Sequence, residues 1–248
     1  MNGQGEKSGE MKFKCSLCLF ALSLLLTCAA CTQTTSFREE NGSIMTKNET
    51  AAPITYVAIG DSTGAGVGAK EGGYVARLFT RLKRERPDSS LVNLCVSGAT
   101  TDDVLRGQVG PAVAANPTLV TIGIGINDAA RGVTAEQFAR NYEEIIKRIK
   151  AKTNAPIVVT NLPDISHAPA VPAYMRDDAR RRITLFNERI TETAERHALY
   201  VVDAYQATHE TIPSHPEFFS GDGFHPSDAG YEYWARAMWP TVKRAISQ

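Results

Sequence analysis

The sequence predicts an α/β fold, a three-layer α/β/α sandwich around one five-stranded parallel sheet. Short runs rich in Val, Ile and Leu alternate with amphipathic stretches from Ile54 onward. These runs do not alternate apolar with polar residues, as expected of strands covered on both faces. Strand–helix alternation then calls for right-handed crossovers and parallel pairing. Neither an internal repeat nor a second domain is legible.

The elements follow in order. Strands are expected at 54–60, 91–96, 118–124, 157–161 and 200–203, each short and dominated by β-branched or aliphatic residues. Helices are expected at 73–86, 101–115, 134–152, 173–197 and 228–246. In the third, Phe138, Tyr142, Ile145, Ile146 and Ile149 recur at helical spacing, and Thr134 with Gln137 forms a capping-box pattern at its start. In the last, Tyr231, Trp234, Ala235, Met238 and Trp239 are expected to face inward. In such folds chemistry collects at the carboxyl ends of the strands.

The segment before the first strand reads differently. Residues 11–31 carry Lys12 and Lys14, then an apolar run from Cys15 to Leu26, then Ala29, Ala30 and Cys31. That order is a secretory signal peptide, its apolar run too short to span a bilayer comfortably. Residues 1–10 are polar, so Met11 is the better start of the leader. Residues 32–53, rich in Thr, Ser, Asn and Glu without hydrophobic period, read as a flexible tether, and 54–248 as the folded domain. Four of the five cysteines lie in the leader, so Cys95 alone cannot build a disulfide framework; it falls inside a predicted strand and is expected to be a buried, unreactive packing residue. The stretch Cys28-Ala29-Ala30-Cys31 resembles a bacterial lipobox, which would make Cys31 a lipidated N-terminus; Cys28 departs from the Leu that such motifs prefer. A periplasmic or cell-envelope location is therefore expected, with secretion as the other outcome.

Charge excludes some classes. The chain has 27 basic and 27 acidic residues, with 43% apolar content. Nucleic-acid binding would need an excess of Lys and Arg, and disorder would need low hydrophobicity. The first 31 residues hold three of the basic groups (Lys7, Lys12, Lys14) and two of the acidic ones (Glu6, Glu10), so the remainder has a net charge of −1. Such a domain has no electrostatic hold on anionic membranes, and any membrane attachment is expected through the N-terminal anchor.

Four predicted strand ends carry polar residues. The first leads into Gly60-Asp61-Ser62-Thr63, where a Ser at a strand-to-helix turn can expose its hydroxyl or can simply cap a helix. Ser97-Gly98 follows the second, a turn whose Gly can also offer an N–H at close range. Gly125-Ile126-Asn127-Asp128 follows the third; Asn127 can donate hydrogens without charge, yet Asn-Asp is also ordinary loop chemistry. Near the C-terminus, Asp222-Gly223-Phe224-His225-Pro226 allows a carboxylate to pair with Nδ1–H and leave Nε2 free as a base.

In this order, over about residues 54–245, the four blocks resemble the SGNH (GDSL-type) hydrolase family of esterases and lipases. The resemblance implies a flavodoxin-like fold with strand order 2-1-3-4-5. It implies Ser62 as nucleophile, His225 as general base and Asp222 as the residue orienting it. It further implies an oxyanion hole from the Ser62 and Gly98 N–H groups and the Asn127 side chain. Thr63 stands where the family name has Leu. No metal or cofactor is required by such chemistry, and His167, His197, His209 and His215 lack metal-ligand spacing. The expected substrate is a small acyl ester of a lipid or carbohydrate, with small to medium acyl groups; an acyltransferase or thioesterase using the same residues is the alternative.

Two other readings fit the sequence less well. Gly64-Ala65-Gly66-Val67-Gly68-Ala69 satisfies a dinucleotide-binding pattern, but Asp61-Ser62-Thr63 separates it from the strand and no acidic residue ends the second strand. These glycines are expected instead to shape the loop beside Ser62. A binding module without catalysis would be expected to have lost Ser62 or His225. The Pro-rich stretch 162–182, with Pro169, Val171, Pro172, Tyr174, Met175 and Arg176, follows the fourth strand and is expected to border the site as a lid or acyl-contacting wall, or else to be a plain surface connection.

Overall fold

A computed structural model describes residues 52–247. The expectations for the leader, the tether and Cys31 lie outside these residues. Five strands, β1 (Thr55–Gly60), β2 (Ser90–Asn93), β3 (Leu119–Gly123), β4 (Ile157–Thr160) and β5 (Tyr200–Val202), form one parallel sheet in the order 2-1-3-4-5. The α/β/α sandwich is therefore as expected, and its strand order reverses beside β1, where binding crevices open in sheets of this type.

The helices are α1 (Ser62–Ala65), α2 (Tyr74–Glu85), α3 (Thr101–Gly107), α4 (Val109–Ala114), α5 (Ile126–Ala130), α6 (Ala135–Lys150), α7 (Arg176–His197), α8 (Ala204–His209) and α9 (Asp228–Ile246). Alternate side chains of β1 serve opposite layers. Val57 and Ile59 join Val104, Phe138, Ile145 and Phe186 on one face; Tyr56 and Ala58 join Tyr74, Leu78, Tyr231 and Met238 on the other. Each layer excludes water from one face of the sheet, and burial of this kind supplies the main stabilising term. Among the described residues no helix is long and apolar enough to cross a membrane.

Several details depart from expectation. The edge strands β2 and β5 are not covered on both faces; Val201 is 38% exposed. Strand β2 is regular only to Asn93, although the Leu94 and Val96 N–H groups still bond β1 (2.8 and 3.1 Å); the Asn93 carboxamide takes the intervening Cys95 N–H (3.1 Å) and reaches back to the Gly64 carbonyl (2.9 Å). Cys95 thus lies just past the strand, half-buried, with its sulfur against Gly64; burial pushes its thiol well up, as befits an unreactive packing residue. The helix predicted over 101–115 divides at Gln108, whose side chain leaves the helix surface to bind β1. Thr134 caps α6 through the Gln137 N–H, but the Gln137 side chain turns to Asn141 and the reciprocal bond is absent. The full capping box belongs to Thr100 and Asp103 on α3. Trp239 is half-buried, while the other four inward residues of α9 are buried.

Candidate active site

Strand β1 delivers Ser62 to the carboxyl edge of the sheet. Asp61 caps α1 by accepting from the Thr63 N–H (2.9 Å) and hydroxyl (2.8 Å), which fixes the turn carrying Ser62. Behind that turn, Gln108 accepts from the Gly60 N–H (2.8 Å) and donates to the Gly60 carbonyl (2.9 Å). Both halves of this clamp are buried, so few other arrangements satisfy the same groups. Burial raises the Asp61 carboxyl to about 6 against the opposing effects of its Thr63 bonds and of His225.

The DGFH segment reaches Ser62 from the other end of the chain as a tight hairpin. Phe219 and Pro226 pair across it, Ser220 N–H donates to the His225 carbonyl (2.8 Å), and Ser227 N–H to the Phe218 carbonyl (2.8 Å). Within it, Asp222 Oδ2 lies 2.6 Å from His225 Nδ1, and His225 Nε2 lies 3.0 Å from Ser62 Oγ. An ionised carboxylate only accepts, so Nδ1 carries the proton and the Nε2 lone pair faces the Ser62 hydroxyl. Burial works to raise the Asp222 carboxyl, but bonds from His225, the Phe224 and His225 N–H groups and Ser220 hold it well below the usual range. Gly68 lies against this hairpin with φ +93°, where an added Cβ would meet the Pro226 carbonyl at 2.8 Å and His225 Cβ at 2.9 Å. The glycine run after β1 therefore shapes the loop beside the site, as expected.

The remaining sequence-derived candidates, Gly98 and Asn127, are tied to each other. Ala99 N–H donates to the Val96 carbonyl (3.1 Å), closing a turn whose third residue, Gly98, has φ +77°. Among the described residues the Gly98 N–H has no acceptor. Asn127, in the first turn of α5, donates one hydrogen to the Ala99 carbonyl (3.0 Å), which holds its carboxamide beside that turn and leaves a second hydrogen unused. Asp128 ties the two loops together by accepting from the Thr101 N–H (3.0 Å) and hydroxyl (2.5 Å). Gln108, Asp61 and Asp128 carry this scaffolding and were not singled out from the sequence; Asp61 and Asp128 adjoin motif residues, which is the one signal that pointed to them.

The other histidines pair elsewhere: His197 with Glu143 (2.8 Å), His209 with Asp164 (2.6 Å), His215 with Glu217 (2.7 Å), and His167 with Arg180 (3.2 Å). The stretch after β4 borders the site. Ala170 N–H donates to the Gly223 carbonyl (3.0 Å), and Val171, Pro172 and Met175 line an open groove with Phe224. Tyr174 points away from the body of the protein at 86% exposure.

A parallel α/β/α sandwich whose strand edge aligns carboxylate, imidazole and serine hydroxyl is the architecture of a serine hydrolase acting on acyl esters. Residues 58–233 match the model of the GDSL-like Lipase/Acylhydrolase family. The chain belongs to this family and is a carboxylic-ester hydrolase. It is 27% identical to the esterase TesA of Pseudomonas aeruginosa over 194 residues, 78% of this chain and 90% of that protein. It is likewise 27% identical to an acetylxylan esterase of Geobacillus stearothermophilus over 188 residues, 69% of this chain and 81% of that protein. The crystal structure of Axe2, an acetylxylan esterase from Geobacillus stearothermophilus, superposes with a TM-score of 0.66 at 23% identity, covering 78% of this chain and 95% of the other. The crystal structure of TesA gives 0.63 at 27% identity, covering 77% and 99%.

Proposed function

We propose that the protein hydrolyses small to medium acyl esters of lipids or carbohydrates by way of an acyl enzyme on Ser62. The observation that carries this reading is the unbroken chain of hydrogen bonds from Asp222 through His225 to Ser62, at 2.6 and 3.0 Å. Ser62 Oγ attacks the ester carbonyl carbon while its proton passes to His225 Nε2. The resulting oxyanion is met by the Ser62 and Gly98 N–H groups and the free hydrogen of Asn127, each such donor being worth about 3–4 kcal/mol. As the C–O bond to the alcohol breaks, His225 returns the proton to the departing oxygen. Water then gives its proton to His225 and attacks the acyl-Ser62 carbon, releasing the acid and restoring the Ser62 hydroxyl. Asp222 keeps the imidazole in the tautomer this needs.

The test is release of p-nitrophenol from the acetate and butyrate esters by the parent and by Ser62→Ala. Loss of turnover by at least about 10³-fold, with the circular-dichroism spectrum preserved, is expected. Turnover within twofold of the parent would remove Ser62 from the mechanism. The basic–apolar–small order of residues 11–31 supports export, and Cys31 supports a lipid anchor. Replacing Cys31 by Ser should shift the protein from the membrane to the soluble fraction of its cells; unchanged fractionation would exclude anchoring at that residue.

A further inference from the structure

Two surfaces adjoin the catalytic hairpin and share Ile126, Ile165 and Phe224; Ser62 and His225 line the second of them. One is the open groove beneath the segment after β4, lined by Ala130, Val171, Met175 and Ala179. The other is a slot that runs inward between α9 and the stretch from α8 to Phe219. Along α9 the slot is lined by Gly230, Tyr233, Trp234 and Ala237, positions that repeat every three to four residues and so form one helical face. The seven steps from Gly230 to Ala237 span roughly 10 Å at about 1.5 Å per residue. Gly230 marks the end nearer the catalytic hairpin, because a Cβ there would lie 3.0 Å from Pro226 Cβ.

The slot's polar wall atoms already have partners. Tyr233 Oη donates to the Ala207 carbonyl (2.9 Å), and Thr208 Oγ1 donates to the Ala204 carbonyl (2.6 Å) while accepting from the Asp164 N–H (2.8 Å). Among the described residues Trp234 Nε1 is left unpartnered, and it can only donate. A sugar or a polar alcohol entering here would lose water and find almost nothing to bond, at about 1–3 kcal/mol for each unpaired group. An alkyl chain loses nothing of the kind. Small side chains, Ala204, Ala207 and Ala237, leave the space that a chain would fill.

We infer that the slot holds the acyl chain of the substrate, and that the alcohol portion lies over the open groove. This rests on the Ser62 acyl-enzyme reading above. The alcohol must depart between the two half-reactions, which an open groove permits and an inward slot would obstruct, whereas the acyl chain stays attached to Ser62 until water arrives. The substrate class is then the medium-chain acyl ester, with acetyl groups leaving most of the slot unfilled.

The test compares kcat/KM for p-nitrophenyl octanoate and acetate in the parent, Ala237→Phe, Ala207→Phe and Ala179→Phe. The octanoate-to-acetate ratio should fall by on the order of tenfold or more in the first two variants, since even one methylene in a fitted pocket is worth 10-fold or more. It should hold within about twofold in Ala179→Phe, which crowds the open groove. A ratio that holds in both slot variants, or falls only with Ala179→Phe, overturns the assignment. Titration calorimetry of octanoate with the parent and Ala237→Phe reads the slot without turnover. Heat lost in the variant supports the slot even if Ser62→Ala leaves hydrolysis intact, an outcome that would overturn the mechanism alone. Equal heat in both proteins overturns the slot.

Discussion

Gln108 acts on the site from behind, through one backbone unit. Its carboxamide satisfies both the N–H and the carbonyl of Gly60, two residues before Ser62. Gln108→Leu keeps the volume roughly but leaves both buried groups unpaired, at about 1–3 kcal/mol each. The expected outcome is a loss of about 2–4 kcal/mol in urea unfolding, together with a kcat on p-nitrophenyl acetate that falls more than KM rises. A KM effect with intact kcat would mean that the clamp shapes binding and not the placement of Ser62. Nothing in the sequence set this glutamine apart from the polar positions of an amphipathic helix. Ser62, Gly98, Asn127, Asp222 and His225 were legible for the opposite reason: each sits in a short block of Gly, Asp or Pro, where side-chain chemistry and backbone geometry coincide. Pairings between distant residues, such as His209 with Asp164, leave no local trace of that sort.

Helices and strands show a similar division. Buried strands and long amphipathic helices were readable because periodicity is set by burial, as in α6, where Phe138, Tyr142, Ile145, Ile146 and Ile149 are all buried. Breaks were not, since they depend on where a single side chain finds its partner: Gln108 divides α3 from α4. Helix α9 carries the opposite conflict, a Pro240 inside 19 helical residues. Proline removes the bond to the Arg236 carbonyl and crowds it, at about 3 kcal/mol in a regular helix. Packing of Thr241, Val242, Ala245 and Ile246 carries the helix past that point. Pro240 is exposed, so Pro240→Ala should raise the unfolding free energy by about 1–3 kcal/mol, less the chain entropy that proline removes from the unfolded state. A loss of stability in denaturant melts would mean that the last turn needs the bend to reach the core.

Over the whole molecule the carboxylates divide into two groups with opposite pH dependence. Backbone and hydroxyl bonds from Thr100 lower Asp103 to about 2, and Asp164, Glu143 and Asp222 are also held low because partner bonds outweigh burial. A depressed carboxyl binds fewer protons folded than unfolded, so its stabilisation is present above about pH 4 and is lost as pH falls toward its folded value. Asp61 has the reverse sign. Raised to about 6 by burial, it binds its proton more tightly when folded, so acidification from 6 to about 4 stabilises the fold through this residue. The two trends should give a melting temperature that rises or holds between pH 7 and 5 and then drops steeply below about 4. Asp61→Asn retains a side-chain acceptor for the Thr63 N–H and carries no charge, so it should remove the gain on the acid side and raise stability at pH 7.5 by about 1–3 kcal/mol. Thermal melts of both proteins from pH 3 to 8 provide the check. Parallel curves would show that Asp61 stays ionised in the folded protein, held by its Thr63 bonds and the neighbouring His225 more strongly than its burial opposes.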